Sequence, residues 1–198
     1  MSRHSVSTKA VLAVIAALAA AGMTRCAGEV SSVEVLSARD ADSSLLGEAR
    51  PLERFGLAFR TPKDWTLNAD TAPVETELSG FIVKSESIFI RDDGFGFCMV
   101  SGVRRSDGST DPDPLKAYLD IIVERFGSGG DVSYKNLKIN GLTGVMFRMT
   151  IKESIIYKFI VGSSAGLVQF DFAFPADAFS DSLLKIMRAS VSTIQEVS

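Results

Sequence analysis

The segment from Gly141 to Phe174, GLTGVMFRMTIKESIIYKFIVGSSAGLVQFDFAF, decides the fold. Apolar and polar side chains alternate near both of its ends, which predicts strands with one buried face. Together with the run just before it, the pattern predicts four strands over residues 132–139, 142–151, 154–162 and 167–174. Asn140-Gly141 is a strong hairpin signal, so we expect the first two strands to be antiparallel neighbours.

Further strands are predicted upstream of this segment. Gly80–Arg91 and Gly94–Arg105 are rich in Ile, Phe and Val, and an Asp-Asp-Gly turn joins them as a second hairpin. Phe55–Phe59 and Trp65–Leu67 are shorter extended pieces on either side of a Thr-Pro turn.

Two amphipathic helices interrupt the strands. Asp113 can cap a helix that starts at Pro114 and stops at Gly127, and Ala178–Gln195 predicts another at the end of the chain. Strands, helix, four strands and helix in that order predict an α+β fold with an antiparallel sheet. We expect helices on both faces of this sheet, an α-β-α sandwich.

The start of the chain predicts export. Basic side chains precede an unbroken apolar run, Ala10–Ala21, and small residues follow. A run of about a dozen residues is typical of a secretory signal peptide and is shorter than the roughly 20 of a membrane span. The sequence therefore predicts a signal peptide over 1–28, a linker or tether without regular period over 29–52, and the folded domain over 53–198.

The cleavage site is open between three alternatives. Small residues allow cleavage before Gly22 or before Glu29. Cys26 is also a candidate lipidation site, since it follows the apolar run at the distance usual for bacterial lipoproteins. Arg25 departs from the small residue that the lipobox has before the cysteine, which favours release without a lipid anchor.

Composition excludes several classes of protein. The chain has 198 residues, of which 46% are hydrophobic and 23% charged, as in globular proteins. One histidine and two cysteines exclude zinc fingers and dense disulfide scaffolds. Residues 1–28 hold three basic and no acidic side chains, so the formal net charge of −3 becomes −6 beyond them. An acidic protein offers no electrostatic footprint for nucleic acid or anionic lipid.

Three short motifs resemble catalytic or phosphate-binding ones. Gly162–Gly166 matches G-x-S-x-G, but a strand follows it and no histidine lies beyond His4. Ser182 and Lys185 match S-x-x-K without the companion motifs. Gly127–Gly130 follows a helix, whereas a phosphate cradle precedes one. We therefore expect a hairpin loop, a solvated helix edge and a helix stop, and no catalytic residue.

Metal and cysteine chemistry are not predicted either. Asp107, Ser109, Asp111 and Asp113 could together offer oxygens to Ca²⁺, but the glycine and distal glutamate of an EF-hand are missing. Cys98 alternates within a predicted strand and is expected to be a core residue, with pairing to Cys26 left open. No metal and no cofactor is expected.

Trp65 is the one tryptophan of the chain. Its place after a proline turn and at the start of a strand predicts a core anchor that closes one end of the sheet. The alternative is an exposed anchor for a partner protein.

The segment Phe55–Trp65, FGLAFRTPKDW, resembles the opening of PsbP-like domains, in which a Pro-x-x-Trp turn separates two short strands. The later order of helix, four strands and helix is similar to that family as well, and the resemblance extends to Ile194. It implies an α-β-α sandwich and, through bacterial DcrB-like members, an exported protein or lipoprotein. The resemblance implies little chemistry, because members of the family mostly act as binding or assembly proteins and not as enzymes. The histidine metal positions of PsbP have no counterpart beyond His4 here.

We therefore expect a non-catalytic, exported binding or assembly module, periplasmic or otherwise attached to the bacterial cell envelope. Its partner would be an unknown envelope protein, with membrane contact only through a lipid at Cys26. The alternatives are a carrier for a small apolar ligand and a hydrolase that uses paired carboxylates.

Overall fold

The computed structural model describes residues 29–126 and 132–197, without the side chains of residues 29–31. Over these residues it contains a nine-stranded sheet, a three-stranded sheet and two α-helices. The strands are β1 Glu29–Leu36, β2 Leu46–Leu52, β3 Leu57–Pro62, β4 Trp65–Leu67, β5 Glu75–Leu78, β6 Phe81–Arg91, β7 Phe97–Arg105, β8 Val132–Ile139, β9 Leu142–Ile151, β10 Ser154–Ser163, β11 Gly166–Pro175 and β12 Gln195–Glu196. The helices are α1 Pro114–Phe126 and α2 Asp181–Ser192.

The large sheet has the strand order β1-β8-β9-β10-β11-β7-β6-β4, and β5 also pairs with β6. Its neighbouring strands are antiparallel except for β1, which runs parallel to β8. The small sheet has the order β12-β3-β2. Strands β8 to β11 therefore form the continuous antiparallel run that the alternation predicted, and it occupies the middle of the large sheet.

The local signals that predicted hairpins and caps are confirmed. Asn140 and Gly141 have φ angles of 48° and 92°, the left-handed values that a tight hairpin turn requires. β6 and β7 pair along their length around the predicted turn. Asp113 Oδ1 accepts a hydrogen bond of 3.0 Å from the Lys116 backbone N–H, which caps α1. The last helix is shorter than predicted, because Ser180 caps it at its start.

The predicted α-β-α sandwich around an antiparallel sheet is wrong. The sheet is mixed, and in the described residues two helices are too few to cover nine strands on two faces. Helix α1 packs on one face, whereas α2 packs with the small sheet, mainly against β3, on the other. The reason is that β2, β3 and β12 form a second sheet. This sheet covers part of the face on which the sequence analysis placed only a helix.

The prediction of a linker over residues 29–52 is also corrected. β1 adds a parallel edge strand to the large sheet, and β2 pairs with β3. Neither strand has a continuous alternation of buried and exposed side chains. β1 shifts register between Val30 and Glu34, and β2 buries only Leu46 and Leu52 at its ends. Without a continuous alternation, the sequence carried no sign of them.

Two hydrophobic cores lie on the two faces of the large sheet. The core beside α2 contains nine buried aromatic side chains, among them Phe59, Phe159, Phe170 and Phe172. The core beneath α1 is built on Tyr118, with Phe81 and Phe147 from the sheet.

No helix in the described parts of the chain has the length and apolar character needed to span a bilayer. The predicted signal peptide over residues 1–28 lies outside the described residues.

Candidate functional site

A buried ion pair lies on the sheet face beneath α1. The register of β10 and β11 places Lys158 directly opposite Asp171. Lys158 Nζ lies 2.6 Å from Asp171 Oδ1, and the two side chains are 5% and 6% exposed. Charges so deeply buried are tolerated in proteins when they are paired.

Two further side chains extend this pair into a network. Gln169 Nε2 donates to Asp171 Oδ2 at 2.5 Å, and Tyr118 Oη of α1 donates to Gln169 Oε1 at 2.9 Å. Tyr118, Lys158, Gln169 and Asp171 are called the polar cluster below. The cluster joins the helix to the sheet by hydrogen bonds within an otherwise apolar layer.

Burial suppresses acid–base chemistry around the cluster. Burial, and to a lesser degree the negative charge of Asp171, raises the pKa of the Tyr118 phenol above its usual range. The same two causes raise the pKa of the Cys98 thiol, which lies fully buried in the core beside α2. Both groups are therefore neutral at physiological pH, and neither is an activated nucleophile.

A cavity of about 70 Å³ adjoins the polar cluster. All four cluster residues line it, and Glu77 and Arg125 add a charge of each sign. The rest of its wall is Thr76 and five apolar side chains: Leu78, Val83, Met99, Ile122 and Phe126. An apolar cavity with a few converging polar groups is the usual form of a small-molecule site.

The polar residues continue across the sheet from the cluster. Ser101 on β7 stands opposite Gln169, and Ser85 on β6 stands opposite Ser101. Ser85 Oγ accepts a hydrogen bond from the Val74 N–H at 2.7 Å. Ser101 Oγ is buried and has no hydrogen-bond partner among the described residues. The face beneath α1 thus carries a polar stripe, whereas the opposite face carries phenylalanines.

The structure places Trp65 inside the core beside α2. Its side chain is 8% exposed and packs edge-on against Phe172 and Phe174, with ring centroids 5.9 Å apart in each pair. It lies on the opposite sheet face from the polar cluster, so it does not belong to the candidate site.

The short motifs to which the sequence analysis assigned no catalytic role lie in a hairpin turn and on an exposed helix edge, where the structure describes them. Gly162–Gly166 lies at the β10–β11 hairpin, where Ser163 Oγ donates to the Gly166 carbonyl oxygen at 3.0 Å. Lys185 is exposed and pairs with Asp42, and Ser182 contacts Ser180. Gly127–Gly130 and Cys26 lie outside the described residues, as does any pairing of Cys26 with Cys98.

The aspartates of the candidate Ca²⁺ loop are already engaged. Asp107 Oδ1 accepts two hydrogen bonds from Ser109, which lower the pKa of its carboxyl group, and Asp113 caps α1. Asp111 lies 3.5 Å from Arg105. Within residues 29–126 and 132–197, no three His, Cys, Asp or Glu side chains come together in a way that could hold a metal ion.

Sequence reasoning missed the polar cluster. Gln169 and Asp171 alternate with phenylalanines, which is typical of a solvated strand face. A signal was nevertheless present in β10, SIIYKFIVGS, whose apolar side chains fall on both faces. A strand buried on both faces buries its lysine as well, and a buried lysine requires a partner.

Comparison with known proteins finds distantly similar solved structures. No family model matches the chain, and no curated protein matches it. A crystal structure from Bacteroides thetaiotaomicron is 14% identical with a TM-score of 0.46, over 77% of this chain and 49% of that one. The chain thus spans about half the length of that protein. The solution structure of PsbP (CyanoP) from Synechocystis is 15% identical with a TM-score of 0.44, over 85% of this chain and 98% of that one.

Proposed function

We propose that this protein is a non-catalytic binding module that is exported to the bacterial cell envelope. The observation that carries the proposal is the polar cluster, whose ionisable groups satisfy one another at the wall of a cavity. Such a cluster is suited to orienting a bound group and holding α1 on the sheet. The charge run and apolar stretch before residue 22 support export.

The pairing within the cluster supports binding over catalysis. A lysine acts as a nucleophile when its amine is free to attack, and Lys158 Nζ is instead held in an ion pair, 2.6 Å from Asp171 Oδ1. Both oxygens of Asp171 already accept hydrogen bonds. The carboxylate-based hydrolase of the sequence analysis would therefore have to break this pair before it could use Asp171.

A carrier for a small apolar ligand is the second candidate function, and the apolar wall of the cavity favours it. The volume of about 70 Å³ is far below the roughly 300–1,000 Å³ of sites for drug-sized ligands. A lipid or another large apolar ligand would require α1 to move away from the sheet. This candidate therefore narrows to a ligand of very few atoms.

The proposed partner is a protein of the envelope. The acidic balance beyond residue 28 supports a partner other than nucleic acid. Membrane attachment is proposed only in the form of a lipid on Cys26, with soluble release as the preferred alternative.

Native mass spectrometry of protein purified from the envelope tests this proposal. We expect the mature chain to carry a bound small molecule or a partner at fixed stoichiometry. A bare chain at every ionic strength would contradict it. So would hydrolysis of ester, glycoside or phosphoester substrates that is lost in Asp171→Asn and retained in Asp177→Asn, a matched change at an exposed site.

A further inference from the structure

We infer that the cavity beneath α1 binds a small neutral molecule through an oxygen atom that accepts hydrogen bonds. The inference rests on the proposed function as a binding module and adds the chemical class of the ligand. It is carried by the hydrogen-bonding capacity that the polar cluster leaves unused, by its charge balance and by the size of the cavity.

The polar cluster leaves several of its hydrogen-bond donors without a partner. An ammonium group carries three N–H donors and an amide NH₂ group carries two. Within the described part of the chain, Lys158 Nζ and Gln169 Nε2 each donate only to Asp171. Two N–H groups of Lys158 and one of Gln169 are therefore unused, and both residues line the cavity. Each Asp171 oxygen and Gln169 Oε1 already accepts one hydrogen bond, whereas a buried N–H group without a partner carries its full desolvation cost. The complementary ligand group is an acceptor oxygen.

The charge balance selects a neutral ligand. Lys158 and Asp171 cancel each other within the cluster, and Glu77 and Arg125 have opposite formal charges. An anionic ligand would add an unmatched buried charge close to the Asp171 carboxylate, which is unfavourable at low dielectric. A carbonyl or hydroxyl oxygen gains the same hydrogen bonds without that cost.

The size of the cavity sets the size of the ligand. A cavity needs about 10–15 Å³ to hold one water. The cavity beneath α1, with about 70 Å³, therefore holds a ligand of about five or six non-hydrogen atoms. The side chains of Leu78, Val83, Met99, Ile122 and Phe126 would surround the part of the ligand away from the oxygen. A short branched ketone, amide or alcohol has this form.

Three probes of one shape test the inference. 3-Methyl-2-butanone has a neutral acceptor, 2,3-dimethyl-1-butene replaces its oxygen by CH₂, and isobutyrate replaces a methyl group by a charged oxygen. Titrations followed by methyl NMR of Met99, Val83 and Ile122 should show the ketone binding about tenfold more tightly than the alkene. Isobutyrate should bind more weakly than the ketone.

Two variants locate the site. Lys158→Met with Asp171→Asn removes both charges and keeps an acceptor for Gln169, and it should reduce the preference for the ketone over the alkene at least threefold. Val83→Phe should fill the cavity and abolish binding of all three probes. Val35→Phe, the same change at a side chain 72% exposed on β1, should leave binding unchanged.

Each other outcome overturns the inference. Equal affinity for ketone and alkene would show an apolar site, tighter binding of isobutyrate would show an anion site, and no shift with any probe would show a cavity that holds only water. A partner protein found by native mass spectrometry together with silent probes would leave the proposed function standing and remove this ligand class.

Discussion

At the scale of single residues, one strand carries buried aromatic side chains on one face and buried polar side chains on the other. β11 presents Phe170 and Phe172 to the core beside α2, and it presents Gln169 and Asp171 to the layer beneath α1. The aromatic face gains stability from area removed from water. The polar face gains little from its buried ion pair unless every member keeps its partner, because desolvation opposes the Coulombic attraction.

The ion pair predicts unequal costs for single and double changes. Lys158→Met should lower the free energy of unfolding by about 3–5 kcal/mol, because Asp171 is left as an unpaired buried charge. The double variant Lys158→Met/Asp171→Asn should recover most of this loss. Urea denaturation measures both, and equal losses in the two variants would contradict the predicted coupling.

Tyr118 predicts a loss of stability in alkali. The pKa of its buried phenol is raised above the usual value of about 10, so above that pH the unfolded chain releases a proton that the folded chain retains. Proton release by the unfolded state favours unfolding, and stability should therefore fall as the pH rises beyond about 10.

Urea midpoints between pH 9 and 11 (values chosen about the usual tyrosine pKa) should show this fall. Tyr118→Phe should lower stability at neutral pH, since Gln169 Oε1 loses its donor, and should also flatten the alkaline slope. Tyr134→Phe, at a half-buried tyrosine on β8, is the control. An unchanged slope in Tyr118→Phe would refute the assignment.

Trp65 predicts a large cost on truncation. Trp65→Ala should lower the free energy of unfolding by about 3–5 kcal/mol, because its contacts with Phe172 and Phe174 are lost and a cavity remains. This is a large share of the roughly 5–15 kcal/mol typical of a domain. Leu67→Ala, on the same strand but 42% exposed, should cost much less.

Fluorescence provides a second measure of the same position. The native emission of Trp65 should be blue-shifted and shielded from acrylamide. Red, fully quenched emission with wild-type stability in Trp65→Ala would mean an exposed tryptophan and a partner-binding role.

At the scale of elements, the strands with continuous patterns were predicted nearly to the residue. β8 and β9 have the predicted bounds, because Asn140-Gly141 sets their turn and burial sets their register. β1 and β2 were missed because an edge strand with a register shift, and a strand buried only at its ends, have no alternation to detect. The polar cluster was missed for a related reason, since a polar side chain on an alternating strand is typical of a solvated face.

The loop from Asp107 to Asp113 predicts a result on chelation. Since its aspartates already accept hydrogen bonds or lie near Arg105, EDTA should leave the melting temperature unchanged. A cation bound to the folded state at 100 times its dissociation constant would add roughly 2.7 kcal/mol. A fall of several degrees on adding EDTA, reversed by Ca²⁺ and absent in Asp107→Asn, would make this loop a metal site.

At the scale of the whole molecule, the order of segments along the chain predicts that a signal peptide is removed during export. Intact-mass measurement of exported protein should show cleavage between Ala21 and Glu29, because the charge, apolar and small-residue order is that of a signal peptide. A full-length product would contradict this prediction. A diacylglyceryl adduct on Cys26 would replace soluble release with a lipid anchor.

The sequence by itself determined the local features: the hairpin turns, the caps, and the faces of the strands and helices that are apolar. These depend on short-range sterics and periodicity, which Asn140-Gly141 and the Asp113 cap illustrate. Tertiary structure alone decided that residues 29–36 pair in parallel with β8, that a second sheet shares a face with α2, and that Lys158 meets Asp171 and Tyr118 beneath α1. These contacts join residues that are distant in the chain. Each contact is stable only when the other segments have folded and bury the residues that form it.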